Sequence, residues 1–198
     1  MDTFWERLLQ PHIFSLLLAR FGGSERTSRS SNPIDKIANG QFMLMRREAY
    51  EECGGHAAVR WHVAEDLLMA QEWTRKGFSV QVVVTRDDLS TRMYHGLGEI
   101  VRGWGKNLYA AGRDTVSLGP CGQVVLRILF PAPALWEIVP FAVGIAALAG
   151  AVSPAAGAWA LIVYAATSLY WIVLHALMRA PWWYALLHPL ASVLLFGI

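Results

Sequence analysis

The sequence predicts an α/β domain followed by two to three membrane-spanning helices. Three observations carry this prediction. Of 17 basic and 15 acidic side chains, only Arg127, Glu137 and Arg179 lie beyond residue 123, so a water-facing part precedes an apolar part. Within the first part, segments of period two alternate with segments of helical period. Within the second, residues 155–178 carry no formal charge, and this run exceeds the roughly 20 residues that a helix needs to cross a bilayer.

Residues 1–33 read as an amphipathic segment and loop. "MDTFWERLLQPHIFSLLLARF" mixes Phe4, Trp5, Leu8, Leu9, Phe14, Leu17 and Leu18 with few charges. It reads as a helix broken near Pro11, lying on a bilayer or packed on the water-facing domain itself. "GGSERTSRSSNP" reads as loop by composition. Residues 34–123 form the expected α/β region. "GQFMLMR" (40–46) alternates like a strand, and "REAYEECGG" reads as a short helix stopped by Gly54 and Gly55. "VAEDLLMAQEWTRKG" (63–77) reads as a helix with acids in its first turn and Lys76 and Gly77 at its end. "FSVQVVV" (78–84) puts Phe78, Val80, Val82 and Val84 on one strand face. "GLGEIVRGWGKNLYAAG" (96–112) places Leu97, Ile100, Val101, Trp104 and Leu108 on one helical face, with Glu99, Arg102 and Lys106 opposite.

Residues 124–198 form the expected membrane region, with spans at about 130–152, 155–178 and 182–198. The first is marked by Pro131, Pro133 and Pro140, and the third contains Pro189. Basic residues precede the first span (Arg102, Lys106, Arg113), and Arg179 separates the second from the third. The loop between the first two has none. This bias predicts a multi-pass protein of the inner (plasma) membrane with its water-facing part in the cytoplasm. Trp136, Trp171, Trp182, Trp183 and Tyr184 near span ends fit an interfacial belt.

Composition also excludes. A net charge of +2, with basic and acidic residues interspersed, does not suit a nucleic-acid partner. Two cysteines, Cys53 and Cys121, make no disulfide framework and no metal-ligand spacing. His56, His62 and His95 match no usual ligand spacing either.

The adjacent pair Glu65–Asp66 opens the helix at 63–77. Acids at a helix start are favoured by the helix dipole whatever the function. A carboxylate there also suits a general base, which speeds proton removal from an attacking hydroxyl by about 10² to 10⁴. Glu65 beside Asp66 raises the cost of ionising both, and both carboxylates are candidate catalytic residues. Successive helix residues point about 100° apart, so the two do not form a facing pair of the kind a retaining hydrolase uses.

Three motifs in order weigh the base above the helix-end device: "NGQFMLMRREAYEECGGH", "VAEDLLMAQEWTRKGFSVQVV" and "TRMYHGLGEIVRGWGKN". From about Asn39 to Arg113 the chain resembles the second half of a family 2 glycosyltransferase of the GT-A fold. More narrowly, it is similar to the hopanoid-associated, membrane-anchored branch. The resemblance implies inverting transfer of a sugar from a nucleotide-diphosphate-sugar to an acceptor hydroxyl, with Asp66 as base. It implies diphosphate or substrate contacts at Arg92, Arg102, Trp104 and Lys106, with Trp104 packing the acceptor or its own helix. Gly40 and Gln41 in "NGQF" are placed near the acceptor, glycine permitting close approach. "RGWGKN" departs from the family's Gln-x-x-Arg-Trp form, since Gly103 separates Arg102 from Trp104. A basic helix attracted to anionic lipid accounts equally for Lys106 and Arg113.

The resemblance also implies a divalent metal, Mg or Mn, in the complete enzyme. The Asp-x-Asp motif that holds it is absent from this sequence, and "DD" at Asp87 and Asp88 stands in another context. The expectation is therefore a partial GT-A (Rossmann-like) domain lacking its N-terminal nucleotide-binding half, in a truncated chain. Expected partners are membrane lipid, the donor in the complete enzyme, and a lipid or polyprenoid acceptor. Two rival classes remain: a non-catalytic, membrane-anchored interaction module, and a transporter subunit, for which the spans offer groups such as Glu137 and His175.

Overall fold

The computed structural model describes residues 1–85, 87–115, 124 and 132–197. Residues 116–123, Arg127 and the start of the first expected span, Pro131 included, lie outside the described residues, as does the side chain of Arg113. The chain divides into two compact units. One comprises Met1–Ser15, Tyr94–Arg102 and Pro120–Ile198, the other Leu16–Met93 and Gly103–Gly119. The helices are α1 (Phe4–Phe21), α2 (Ser24–Arg29), α3 (Arg47–Glu52), α4 (Glu65–Arg75), α5 (Leu97–Thr115), α6 (Ala132–Leu148), α7 (Pro154–Leu177) and α8 (His188–Phe196).

In the first unit, α1 begins with a reciprocal cap. Thr3 Oγ1 accepts from the Glu6 amide (3.3 Å), and Glu6 Oε2 accepts from the Thr3 amide (2.8 Å). This is the Ser/Thr-x-x-Glu capping box, and "TFWE" was its signal in the sequence. The break expected at Pro11 does not occur, and α1 runs through it. Proline removes the N–H that would bond the carbonyl four residues back, here that of Arg7. That carbonyl instead meets His175 Nε2 at 3.3 Å. Leu8, Leu9 and Ile13 are fully buried, and residues 1–15 belong to one unit with the apolar C-terminal helices rather than with the bulk of the water-facing domain.

α6 packs along α7 and α8, and α7 along a 3₁₀ segment, Trp182–Leu187. Ser153 caps α7 by accepting from the Ala156 amide, with Pro154 in its first turn. Small residues bring α6 and α7 close: a Cβ on Gly157 would lie 2.9 Å from the Ala147 Cβ. Of the three expected spans, α7 is long and apolar enough to cross a membrane. α6 has 17 residues, and the third segment divides into the 3₁₀ piece and nine-residue α8. Pro189 sits in the first turn of α8 rather than interrupting a span.

In the second unit α4 carries two apolar clusters. Met69, Ala70 and Trp73 join Cys53, Val59 and Val80, with Met43, Met45 and Tyr50 packed against them. Ala64 and Leu67 join Phe21 and Ala110. The helix expected before Gly54 forms as α3, and both glycines adopt positive φ, 78° and 52°. A Cβ on Gly55 would lie 2.5 Å from the Tyr50 ring. Gly55→Ala is therefore expected to lower stability by about 1–3 kcal/mol, read as a drop in thermal midpoint. A matching loss of the Tyr50 hydroxyl bond to His56 Nδ1 (2.9 Å) should accompany it.

Two local expectations differ from the structure. Within the expected loop 22–33, α2 forms, closed by an exposed Glu25–Arg29 ion pair at 2.7 Å. No strand forms among the described residues, and 40–46 and 78–84 run without regular secondary structure. Side chains meet the backbone there instead. Ser28 Oγ accepts from the Val82 amide (2.9 Å), and the Lys36 amine donates to Val80, Thr27 and Ser28 carbonyls at 2.9–3.1 Å. A strand needs a neighbour to complete its ladder, and these two segments do not pair with each other.

Candidate functional site

The Glu65–Asp66 pair opens α4, and the structure separates its members. Glu65 is exposed, whereas Asp66 is half-buried. No side chain caps α4 at Ala64; the Asp66 carboxylate bonds locally and across the fold. Its Oδ1 accepts from the Leu67 amide at 2.8 Å, and its Oδ2 from the Gly40 amide at 2.7 Å.

The partner loop is built to present that amide. Asn39 Oδ1 accepts from the Gln41 amide (3.2 Å), Asn39 Nδ2 donates to Gln41 Oε1 (3.3 Å), and the Phe42 amide closes the turn on the Asn39 carbonyl. Gly40 then lies so close that a Cβ on it would sit 3.3 Å from Asp66 Oδ2. The close approach expected of Gly40 is made to the candidate base. Met43 and Met45 anchor the following segment in the α4 core, so loop and helix start are fixed on one body.

Each carboxylate oxygen has two lone pairs. One amide donor on each oxygen orients the group and leaves capacity to accept a proton from a hydroxyl. Gly40→Ala is expected to push the Asp66 carboxylate aside by a few tenths of an ångström, with activity falling more than stability. Steady-state rates beside a thermal melt would separate the two effects.

The structure thus brings together Asp66, Gly40 and, through the Asn39 turn, Gln41. Lys106 and Arg92 are exposed residues of the same unit, and Arg102 is an exposed residue of the other. Trp104 is only 7% exposed, which fits packing of its own helix, the second of its two expected roles. Arg102 acts on Glu99, whose carboxyl is held below its ordinary range mainly by the His95 amide bond and also by the Arg102 charge. Asn39 is the member of the site that sequence reasoning missed as a separate residue; an Asn two residues before an amide it can bond is an Asx-turn signal.

Among the described residues, no group of three or more His, Cys, Asp or Glu side chains is placed to hold a metal ion. The described residues offer no site for the divalent metal that the resemblance implies for the complete enzyme, and no chemical step here runs through one.

Residues 34–93 match the family model described as glycosyl transferase family 21. The match supports a glycosyltransferase family for this chain. It contains Gly40, Gln41, Glu65, Asp66 and Arg92, while Arg102, Trp104 and Lys106 lie beyond it. No curated protein and no solved structure matches the chain.

Proposed function

We propose that this chain is the acceptor-side portion of a membrane-anchored, inverting glycosyltransferase, a partial GT-A domain with Asp66 as general base. The observation that carries the reading is the 2.7 Å bond between the Gly40 amide and Asp66 Oδ2, inside the segment that matches a glycosyltransferase family. The acceptor hydroxyl gives its proton to Asp66 as its oxygen attacks the anomeric carbon, and the nucleoside diphosphate departs from the opposite face. Inversion needs this single base. Lys106, with Arg102 one turn before it on α5, and Arg92 supply cations suited to the departing diphosphate. α7 anchors the chain, and the distribution of basic residues favours a multi-pass inner-membrane protein with Asp66 on the cytoplasmic side. The hopanoid-associated resemblance favours a lipid or polyprenoid acceptor.

The donor half and its Mg or Mn site are proposed to lie outside these residues, because the sequence holds no Asp-x-Asp motif. Residues 42–45 are apolar on both faces, as in sheets covered on both sides, and 78–84 puts Phe78, Val80, Val82 and Val84 on one apolar face. Phe42, Leu44, Val83 and Val84 are 63–90% exposed. Further strands of the complete domain would cover them. The chain by itself is therefore expected to show no micromolar affinity for a nucleotide-sugar. Calorimetric titration with UDP-sugars checks this, and micromolar binding would refute the division of the domain. The same exposed apolar residues favour a second reading, a non-catalytic docking module. Transfer activity on adding a donor-binding half would decide against it.

A further inference from the structure

The proposed transferase chemistry makes no use of the Glu137 carboxylate of α6, a buried polar group of the first unit. Its Oε1 accepts from Trp171 Nε1 of α7 at 3.0 Å. Its Oε2 accepts from Ser192 Oγ of α8 at 2.6 Å and meets His188 Nδ1 of α8 at 3.1 Å. His12 Nε2 of α1 faces the same oxygen at 3.8 Å. Three helices therefore converge on a carboxylate of a fourth, whose side chain is 11% exposed, with His12 and His188 at 3% and 1%.

Hydrogen-bond valence shows what this group lacks. A carbonyl only accepts, so the 3.0 Å contact between His12 Nδ1 and the Leu8 carbonyl places the N–H of a neutral His12 ring on Nδ1. His12 Nε2 then carries a lone pair. It is buried without a hydrogen-bond partner and points at a carboxylate oxygen that also only accepts. The same mismatch recurs at His175, whose Nδ1 lies 2.8 Å from the Trp171 carbonyl and whose Nε2 lies 3.3 Å from the Arg7 carbonyl. A neutral ring has one N–H for these two acceptors.

What relieves both mismatches must donate and never accept. It must also fit between atoms 3.8 Å apart in a closed interior. Among the described residues no cluster is placed for a metal ion, and an ammonium group is too large. We propose that the Glu137–His12–His175 cluster is a proton-binding site, taking from solvent one proton at the Glu137–His12 contact and one at His175. The His12 ring stacks on the Trp171 indole, with centroids 3.6 Å apart and planes at 20°, a face that favours a cationic ring. The titratable groups facing the carboxylate are His12 from α1 and His188 from α8. His175 of α7 lies beyond His12, with ring centroids 6.5 Å apart, and Tyr164 of α7 lies 5.0 Å from the His188 ring.

Both proton-short contacts join α1 to the other helices: His12 belongs to α1, and so does the Arg7 carbonyl. Proton occupancy therefore governs how firmly residues 4–15 of α1 are held. Each proton lost weakens that hold by up to tenfold per pH unit.

The test uses the full chain in phosphatidylcholine nanodiscs. Burial, with the neighbouring His175 and His188, pushes the His12 ring towards its neutral form, so ¹⁵N NMR of the histidine-labelled chain should show, as the pH falls below neutral, an imidazolium signal that His12→Gln or His175→Gln removes. If the proton rests on the carboxylate, infrared spectra should instead show a protonated carboxyl band that Glu137→Gln removes. Three imidazoles that stay neutral beside an ionised carboxylate at every pH at which the chain is folded would overturn the proposal. Amide exchange in residues 5–13, corrected for intrinsic rates, should lose protection by up to tenfold per pH unit as the proton leaves. Protection of α1 that does not change with pH would overturn the latch. The wild-type spectra decide the matter even where a variant fails to fold.

Discussion

Asp66→Asn, made in a chain joined to its donor-binding half, is expected to reduce transfer by about 10² to 10⁴, the usual contribution of a positioned base. The amide side chain matches the carboxylate in size and keeps one acceptor oxygen. It can therefore satisfy the Leu67 amide or the Gly40 amide, now bound at 2.8 and 2.7 Å, but not both. The loss of one such bond costs about 1 kcal/mol, so the melt should move little while the rate collapses. Glu65→Gln is the control. Glu65 is exposed and points about 100° away on the helix, so its rate should stay within tenfold of the parent. Activity retained by Asp66→Asn would remove the base from the mechanism.

The largest expected effect on stability belongs to Lys36→Met. Lys36 is 2% exposed, and its amine donates to the carbonyls of Thr27, Ser28 and Val80. These bonds tie the end of α2 to the segment 78–84, which has no ladder of its own. Methionine keeps the stem and deletes the donors, leaving three carbonyls to find partners, at about 3 kcal/mol or more in all. Denaturant unfolding with an unchanged slope would measure it. Lys36→Arg should not rescue, since a planar fork does not reproduce three converging donors. Burial pushes the Lys36 amine below its ordinary 10.5, with Asp35 opposing. The folded chain then sheds this proton before the unfolded one, so stability from this group rises with pH across that interval and is flat below it.

Much of this was legible in the residues. Glycines 54 and 55 were expected to stop α3, and they follow its end with a positive-φ backbone; the uncharged run at 155–178 became α7. Gly40 and Asp66 were named from separate motifs, and the fold joins them directly. Other features depended on partners that a linear reading does not supply. Proline at position 11 predicts a broken helix only while no side chain is known to take the Arg7 carbonyl. The alternation in 40–46 and 78–84 records which faces are apolar, and strand formation further requires a neighbour. Lys36 reads as an ordinary surface cation because its three acceptors come from residues 27, 28 and 80. The buried status of Trp104 was equally out of reach, since an aromatic on an amphipathic helix serves packing and ligand stacking alike.

The Arg7 carbonyl, released by Pro11 and taken up by His175, has an evolutionary and genetic corollary. Pro11→Ala restores an in-helix partner for that carbonyl and leaves the imidazole competing for it, so the value of a histidine at 175 depends on the residue at 11. The two sites should show epistasis, each substitution milder in the background of the other. Their interaction energy would pass through a main-chain atom belonging to neither.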